Sequence, residues 1–193
     1  MNKTKLLAPP DLTVLDVNLI SVIYTVRLGV YYLRQTEQTE RRNYSPSIVI
    51  TASASSFQDF GVGDYTIAKH GVLGILRGLC TDLQVSSNSR KQTQMEGLAR
   101  QIVRLNAIAP SWTNTGIVDG RILRGLGVRV QEPEAVARSV VCCLRIRKGI
   151  GRSFIVGKGG SVRLIGGRGG LLAGARRFVR GGGAVMERLK GKL

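Results

Sequence analysis

A β-branched run, Ile48-Val49-Ile50-Thr51, constrains this chain more than any other feature. Pro46 precedes it and Ser/Gly-rich sequence follows, and its apolar residues do not alternate with polar ones. A strand that is apolar on both faces needs cover on both, which is the situation of a parallel strand between helical layers. Ile102–Ile108, running on to Pro110 and a polar loop, reads as a second strand, and Ser153–Gly157 as a third. Helical stretches separate the three: about Leu12 to Thr36, about Asp64 to Val85, a short helix before Gly127, and Pro133 to about Arg147. Pro133 suits the first helical position, with Glu132 and Glu134 beside the positive helix end. Crossovers this short between parallel strands are right-handed.

Three side chains carry chemistry on this frame. Tyr65 and Lys69 stand four residues apart in GDYTIAKHGVLGIL, so on a helix they share a face one turn apart. A cation held close to a phenol favours the phenolate and makes a proton donor and acceptor of it. Ser53 lies twelve residues before Tyr65, just past the carboxyl end of the first strand. Open α/β sheets present their ligands at that edge.

Asn18, Ser53, Tyr65 with Lys69, and the segment NAIAPSWTNT, in this order and spacing, resemble the short-chain dehydrogenase/reductase family from Leu12 to about Gly160. The resemblance implies an α/β fold: a partial doubly wound, Rossmann-like parallel sheet of about three strands with flanking helices. It implies hydride transfer between NAD or NADP and a small alcohol or ketone. Tyr65 is then the general acid/base and Ser53 holds the substrate oxygen. Lys69 supports Tyr65 and binds the nicotinamide ribose, while Asn18 supports a water that links Lys69 to solvent. Tyr65, Lys69, Pro110, Thr113 and Thr115 fall at cofactor-contacting positions. The first two helices are those through which the family forms dimers, so a homo-oligomer is expected.

The departures are as informative. No Gly-x-x-x-Gly-x-Gly turn opens the chain, and roughly 60–90 residues of the family's first half, at about 30 per βαβ unit, have no counterpart. GKGGSVRLIGGRGG is glycine-rich but follows the last strand, where the family gives it no phosphate-binding role. Ser111 stands where the family has glycine after the proline. Three readings follow: an active oxidoreductase, a catalytically silent remnant acting as a dimerisation or interaction partner, and an N-terminally truncated product of a longer gene. The first strand is expected at an open sheet edge.

Composition sets off a basic Gly/Arg-rich tail, 161–193, from residues 1–160, which the resemblance makes the C-terminal, catalytic half of a Rossmann-like domain. Hydrophobic residues at 43% suffice for a core. Residues 145–193 hold 13 Lys/Arg against one acid, Glu187, and 14 of the 25 glycines lie at or beyond Gly149. A solvated tail is expected rather than a nucleic-acid surface, because only Phe178 is there to stack on bases. Cys80, Cys142 and Cys143 lack zinc spacing and read as buried thiols, so no metal is expected. His70, the sole histidine, reads as a helix-surface residue. Val17–Leu33 carries Asn18, Ser21 and Arg27 and reads as a well-buried amphipathic helix, not a membrane span; a cytoplasmic location is expected.

Overall fold

The computed structural model describes residues 9–35, 46–58, 61–88, 103–117, 119–145, 152–156 and 162–164. The chain runs α1 (Thr13–Leu33), β1 (Ser47–Thr51), a 3₁₀ turn (Ala54–Phe57), α2 (Gly63–Asn88), β2 (Arg104–Pro110), α3 (Gly120–Gly125), α4 (Pro133–Arg145), β3 (Arg152–Val156) and β4 (Val162–Leu164). The sheet order is β1-β2-β3-β4. The first three strands are parallel, in the register Thr51↔Ile108 and Ile108↔Phe154, and β4 returns antiparallel on β3. The three expected parallel strands are present, shifted by a residue or two, with a short fourth strand added. Among the described residues β1 is an edge strand. The connectors at 36–45 and 89–102, and 165–193 of the basic tail, lie outside the described residues.

Strand alternation sorts the core into two layers. Ile50, Leu105, Ala107 and Ala109 face α1 and α2, where they pack with Val26, Val72, Leu73 and Leu76. Ile108 points the other way and packs with Cys143, Val49, Val136 and Val140 from β1 and α4. β2 is buried along almost its whole length, as a central strand between helical layers must be. Arg104, only 5% exposed, donates from its guanidinium to the carbonyls of Cys143 (3.5 Å) and Leu144 (3.1 Å) at the end of α4. A cation there satisfies carbonyls that have no partner within their own helix and opposes the negative helix end.

Two expectations are corrected. α1 is not well buried: of its residues only Val26 is, while Val17, Ile20, Tyr24, Leu28, Tyr31 and Tyr32 are exposed. Its apolar residues occupy more of its circumference than β1 and α2 can cover. Thr13–Leu33 is also long and apolar enough to cross a membrane by length and composition, with a mean hydropathy of 1.4. The cysteines are not uniformly buried either. Cys143 lies under the sheet, Cys80 is half-buried and Cys142, one position round α4, is exposed.

Candidate active site

β1 ends at Thr51, and the next amide, Ala52, still bonds across to the Ile108 carbonyl at 2.8 Å. Ser53 is the first residue free of that ladder. Extended at φ −151° and ψ 163°, it caps the following 3₁₀ turn. Its Oγ accepts from the Ser55 amide (3.2 Å), and its own amide donates to Ser56 Oγ (3.1 Å). This reciprocal box orients the Ser53 hydroxyl while leaving its proton uncommitted to any described partner.

α2 rises from Gly63 with Asp64 in its first turn, where a carboxylate complements the helix dipole. Tyr65 and Lys69 share the face turned toward the 3₁₀ turn, and Lys69 Nζ lies 5.5 Å from the Tyr65 ring centroid. The ammonium donates to the Thr51 carbonyl at 3.2 Å, and Lys69 as a whole residue is 9% exposed. Among the described residues no carboxylate pairs with it. Burial pushes its pKa below the ordinary 10.5. A lysine ammonium has three N–H donors, and here a single described acceptor meets them.

Asn18 sits in a π-helical turn, Asp16–Ile20, inside α1, where the Ser21 amide reaches back five residues to the Asp16 carbonyl. Side chains around it compete for helix carbonyls: Asn18 Nδ2 donates to Val14 O (3.1 Å), Ser21 Oγ to Val17 O (2.6 Å) and Thr25 Oγ1 to Ser21 O (2.8 Å). Such back-bonding distorts helices. The Asn18 amide is thereby turned onto its own helix. The π turn itself packs on α2: a Cβ at Gly71 would come within 2.7 Å of Leu19 Cδ1. Asn18 thus belongs to the segment that packs on α2 at Gly71, with its side chain engaged on its own helix.

Pro110 ends β2 at the same sheet edge, because β1 and β2 run parallel. The loop beyond it is braced against the strand of chain entering α4. The Thr113 hydroxyl donates to Ser111 O (2.9 Å) and accepts from Gln131 Nε2 (3.2 Å). Gln131 N donates to Trp112 O and Gln131 O accepts from Asn114 N, both at 2.9 Å. Asn114 also donates to Glu132 Oε2 (3.0 Å), and Glu132 pairs with Arg124 at 2.7 Å. Thr115 is exposed, its Oγ1 accepting from the Ile117 amide at 3.4 Å. Of the two loop threonines, Thr115 offers the outward hydroxyl. His70 is exposed on α2, Nδ1 lying 2.9 Å from Thr66 O. Among the described residues no three His, Cys, Asp or Glu side chains gather to hold a metal.

Lys69 thus stands beside the Tyr65 ring and bonds to the end of the strand that leads into Ser53, Pro110 to Thr115 follow at the neighbouring strand end, and the Asn18 amide bonds to its own helix. Two structural partners are new. Ser56 is signalled only by its position three residues after Ser53, the spacing of a capping box. Gln131 carries no local signal, because its partners lie 18 and 20 residues upstream.

No family model matches the chain. It is 36% identical over 153 residues to the short-chain dehydrogenase/reductase ascJ of Acremonium egyptiacum, covering 79% of this chain and 46% of that one. It is 29% identical over 113 residues to a (-)-trans-carveol dehydrogenase of Rhodococcus erythropolis, covering 56% and 33%. The chain thus spans less than half the length of these curated relatives. Among solved structures it is similar to a 3-hydroxyacyl-CoA dehydrogenase type-2 from Mycobacterium avium, with a TM-score of 0.58 and 21% identity over 77% of this chain and 56% of that one. A short chain dehydrogenase from Mycobacterium paratuberculosis bound to NAD gives 0.51 and 22%, over 76% and 54%.

Proposed function

This chain belongs to the short-chain dehydrogenase/reductase family, and from that premise we propose that it takes part in NAD(P)-dependent oxidoreduction of a small alcohol or ketone, with Tyr65 as general acid/base. The observation that carries the reading is the nearly buried Lys69 ammonium, held between the Tyr65 ring and Thr51 O without a described counter-ion. Its spare N–H donors suit a vicinal diol, so the residues present fit the nicotinamide-ribose end of a dinucleotide. Lys69 and the Pro110–Thr115 loop, with Thr115 outward, would hold it. When bound, NAD or NADP supplies the hydride chemistry.

Everything else falls to the protein. Ser53, its hydroxyl oriented by the Ser55 amide, donates to the substrate oxygen. In oxidation the Tyr65 phenolate takes the alcohol proton; in reduction the phenol returns it to the carbonyl oxygen. The Lys69 ammonium stands 5.5 Å from the Tyr65 ring centroid, beside the group that exchanges the proton.

The test is a titration of the full chain with NADH and with NADPH, followed through Trp112, its single tryptophan. The reading expects saturable binding at micromolar dinucleotide. It also expects turnover of small secondary alcohols that falls roughly 10²- to 10⁴-fold in Tyr65→Phe. Binding only at millimolar dinucleotide, or full turnover in Tyr65→Phe, overturns it.

We further propose that a second copy of the chain covers the outer face of α1. Tyr24, 66% exposed, lies there with Leu28, Tyr31 and Tyr32, and beside them Ile23, Arg27, Ile75, Gly78 and Leu79 line a groove between α1 and α2 of about 390 Å³. An isologous pair buries such a face against itself. Sedimentation equilibrium should show a dimer that Leu28→Glu dissociates; a monomer in the parent chain overturns it.

A further inference from the structure

Ser56 touches the backbone of both segments that the proposed reaction needs. Its side chain is almost fully enclosed, 3% exposed, three residues after Ser53 and thirteen before Lys69. Its Oγ donates to the Lys69 carbonyl at 2.7 Å and accepts the Ser53 amide at 3.1 Å. A hydroxyl has one proton, and here it is committed, so Ser56 cannot itself serve a substrate.

Neither bond belongs to regular secondary structure. The Lys69 carbonyl lies inside α2, whose ladder already engages it with the amide four residues on, so Ser56 uses its second lone pair. The Ser53 amide is the first beyond the β1–β2 ladder, whose last rung is Ala52 to Ile108. These bonds are not required to form either element; what they set is the position of one against the other. On the opposite side of the same junction, Lys69 Nζ holds Thr51 O at 3.2 Å. Main chain and side chain of Lys69 thus bond to residues on either side of Ser53 in sequence, the one to Ser56 in the 3₁₀ turn and the other to Thr51 at the end of β1.

Resting on the oxidoreductase reading above, we propose that Ser56 is a positioning residue that sets the distance between the Ser53 hydroxyl and the Tyr65–Lys69 pair. A hydrogen bond of 2.7 Å tolerates little sliding of α2 past the strand end. Proton exchange at a substrate oxygen shared by Ser53 and Tyr65 requires both oxygens at bonding distance at once. Ser55 supplies the matched control. It lies in the same turn, is fully buried, and its hydroxyl has no partner among the described residues. The bond Ser55 does make to Ser53 comes from its amide, which alanine retains.

The experiment compares the parent chain with Ser56→Ala and Ser55→Ala, measuring kcat, dinucleotide Kd and the ¹³Cε titration of Lys69. In Ser56→Ala, kcat falls roughly 10- to 100-fold while dinucleotide Kd stays within about twofold. The Lys69 titration moves back toward 10.5 as the side chain loses its enclosure. Ser55→Ala leaves kcat, Kd and titration at parent values. Two serine variants that behave alike, or a kcat loss matched by the loss of folded protein, overturn the proposal. Should Ser56→Ala not fold, exchange of the Ser53 amide in the parent chain decides: protection supports the clamp, and exchange at the rate of an open loop overturns it. If the parent shows no turnover, the oxidoreductase reading falls, and the Lys69 titration and amide exchange still judge Ser56.

Discussion

Gly71 is where α1 presses closest on the helix that bears Tyr65 and Lys69, and replacing it with alanine tests that contact. A Cβ built there would lie 2.7 Å from Leu19 Cδ1 and 2.8 Å from Cδ2. Carbon atoms pack at about 3.5–4.0 Å, so Leu19 or the π turn must retreat by roughly 1 Å. Overpacking of this kind costs about 1–3 kcal/mol, against a gain of about 1 kcal/mol in helix propensity. The net is a destabilisation between about 0 and 2 kcal/mol. Gly74, one turn on in the same helix, is exposed, and a Cβ there meets nothing within 4 Å. Gly74→Ala should therefore collect the propensity gain alone, about 0.5–1 kcal/mol. The two variants should differ by about 1–3 kcal/mol in urea denaturation, and by roughly 2–4 °C in Tm for each of those kcal/mol. Leu19 adjoins Asn18, so the Gly71 variant should also disturb the Asn18 backbone while the Gly74 variant should not. Equal stability in the two variants would falsify the close seating of the π turn on α2.

Two further outcomes follow from the environments of Lys69 and the cysteines. Burial lowers the Lys69 pKa, so the folded chain binds that proton less tightly than the unfolded chain does. Its charge therefore opposes folding below the lowered value, and stability should rise as pH climbs from there toward 10.5. Lys69→Met should lose turnover and also flatten this rise, read as urea midpoints across alkaline pH; an unchanged slope contradicts the burial argument. Cys142 is exposed, whereas burial, with the neighbouring Cys142 adding to it, pushes the Cys143 thiol up to about 11. An aromatic disulfide reagent at mildly alkaline pH should label Cys142 first and Cys143 only after denaturant is added, as peptide mass spectrometry would reveal.

The features legible in the chain were those carried by neighbours in sequence. Ile48–Thr51 is β-branched and apolar on both sides, so it had to be a covered parallel strand. Tyr65 and Lys69 share a helix face by spacing alone, and Pro133 with its flanking glutamates starts α4. What stayed illegible depends on segments that meet only in space. Val17–Leu33 reads as a buried helix because apolarity alone does not say how much cover the rest of the chain supplies. The Asn18 side chain looked available until the π turn folded it back on Val14 O. Thr113 and Thr115 look equivalent in sequence; Gln131, arriving from 18 residues downstream of Thr113, engages the one and leaves the other exposed.

From its residues alone this chain determined an α/β frame and a phenol–lysine–serine set at the carboxyl edge of a parallel strand, since an unbroken β-branched run marks the covered strand and the 3.6-residue helix period puts Tyr65 and Lys69 on one face. Only the folded chain decided how firmly that set is held. The Ser56–Lys69 bond spans thirteen residues and Arg104 reaches carbonyls about forty residues away at the end of α4. Such bonds form where desolvated polar groups meet across elements, and no local pattern of residues encodes that meeting.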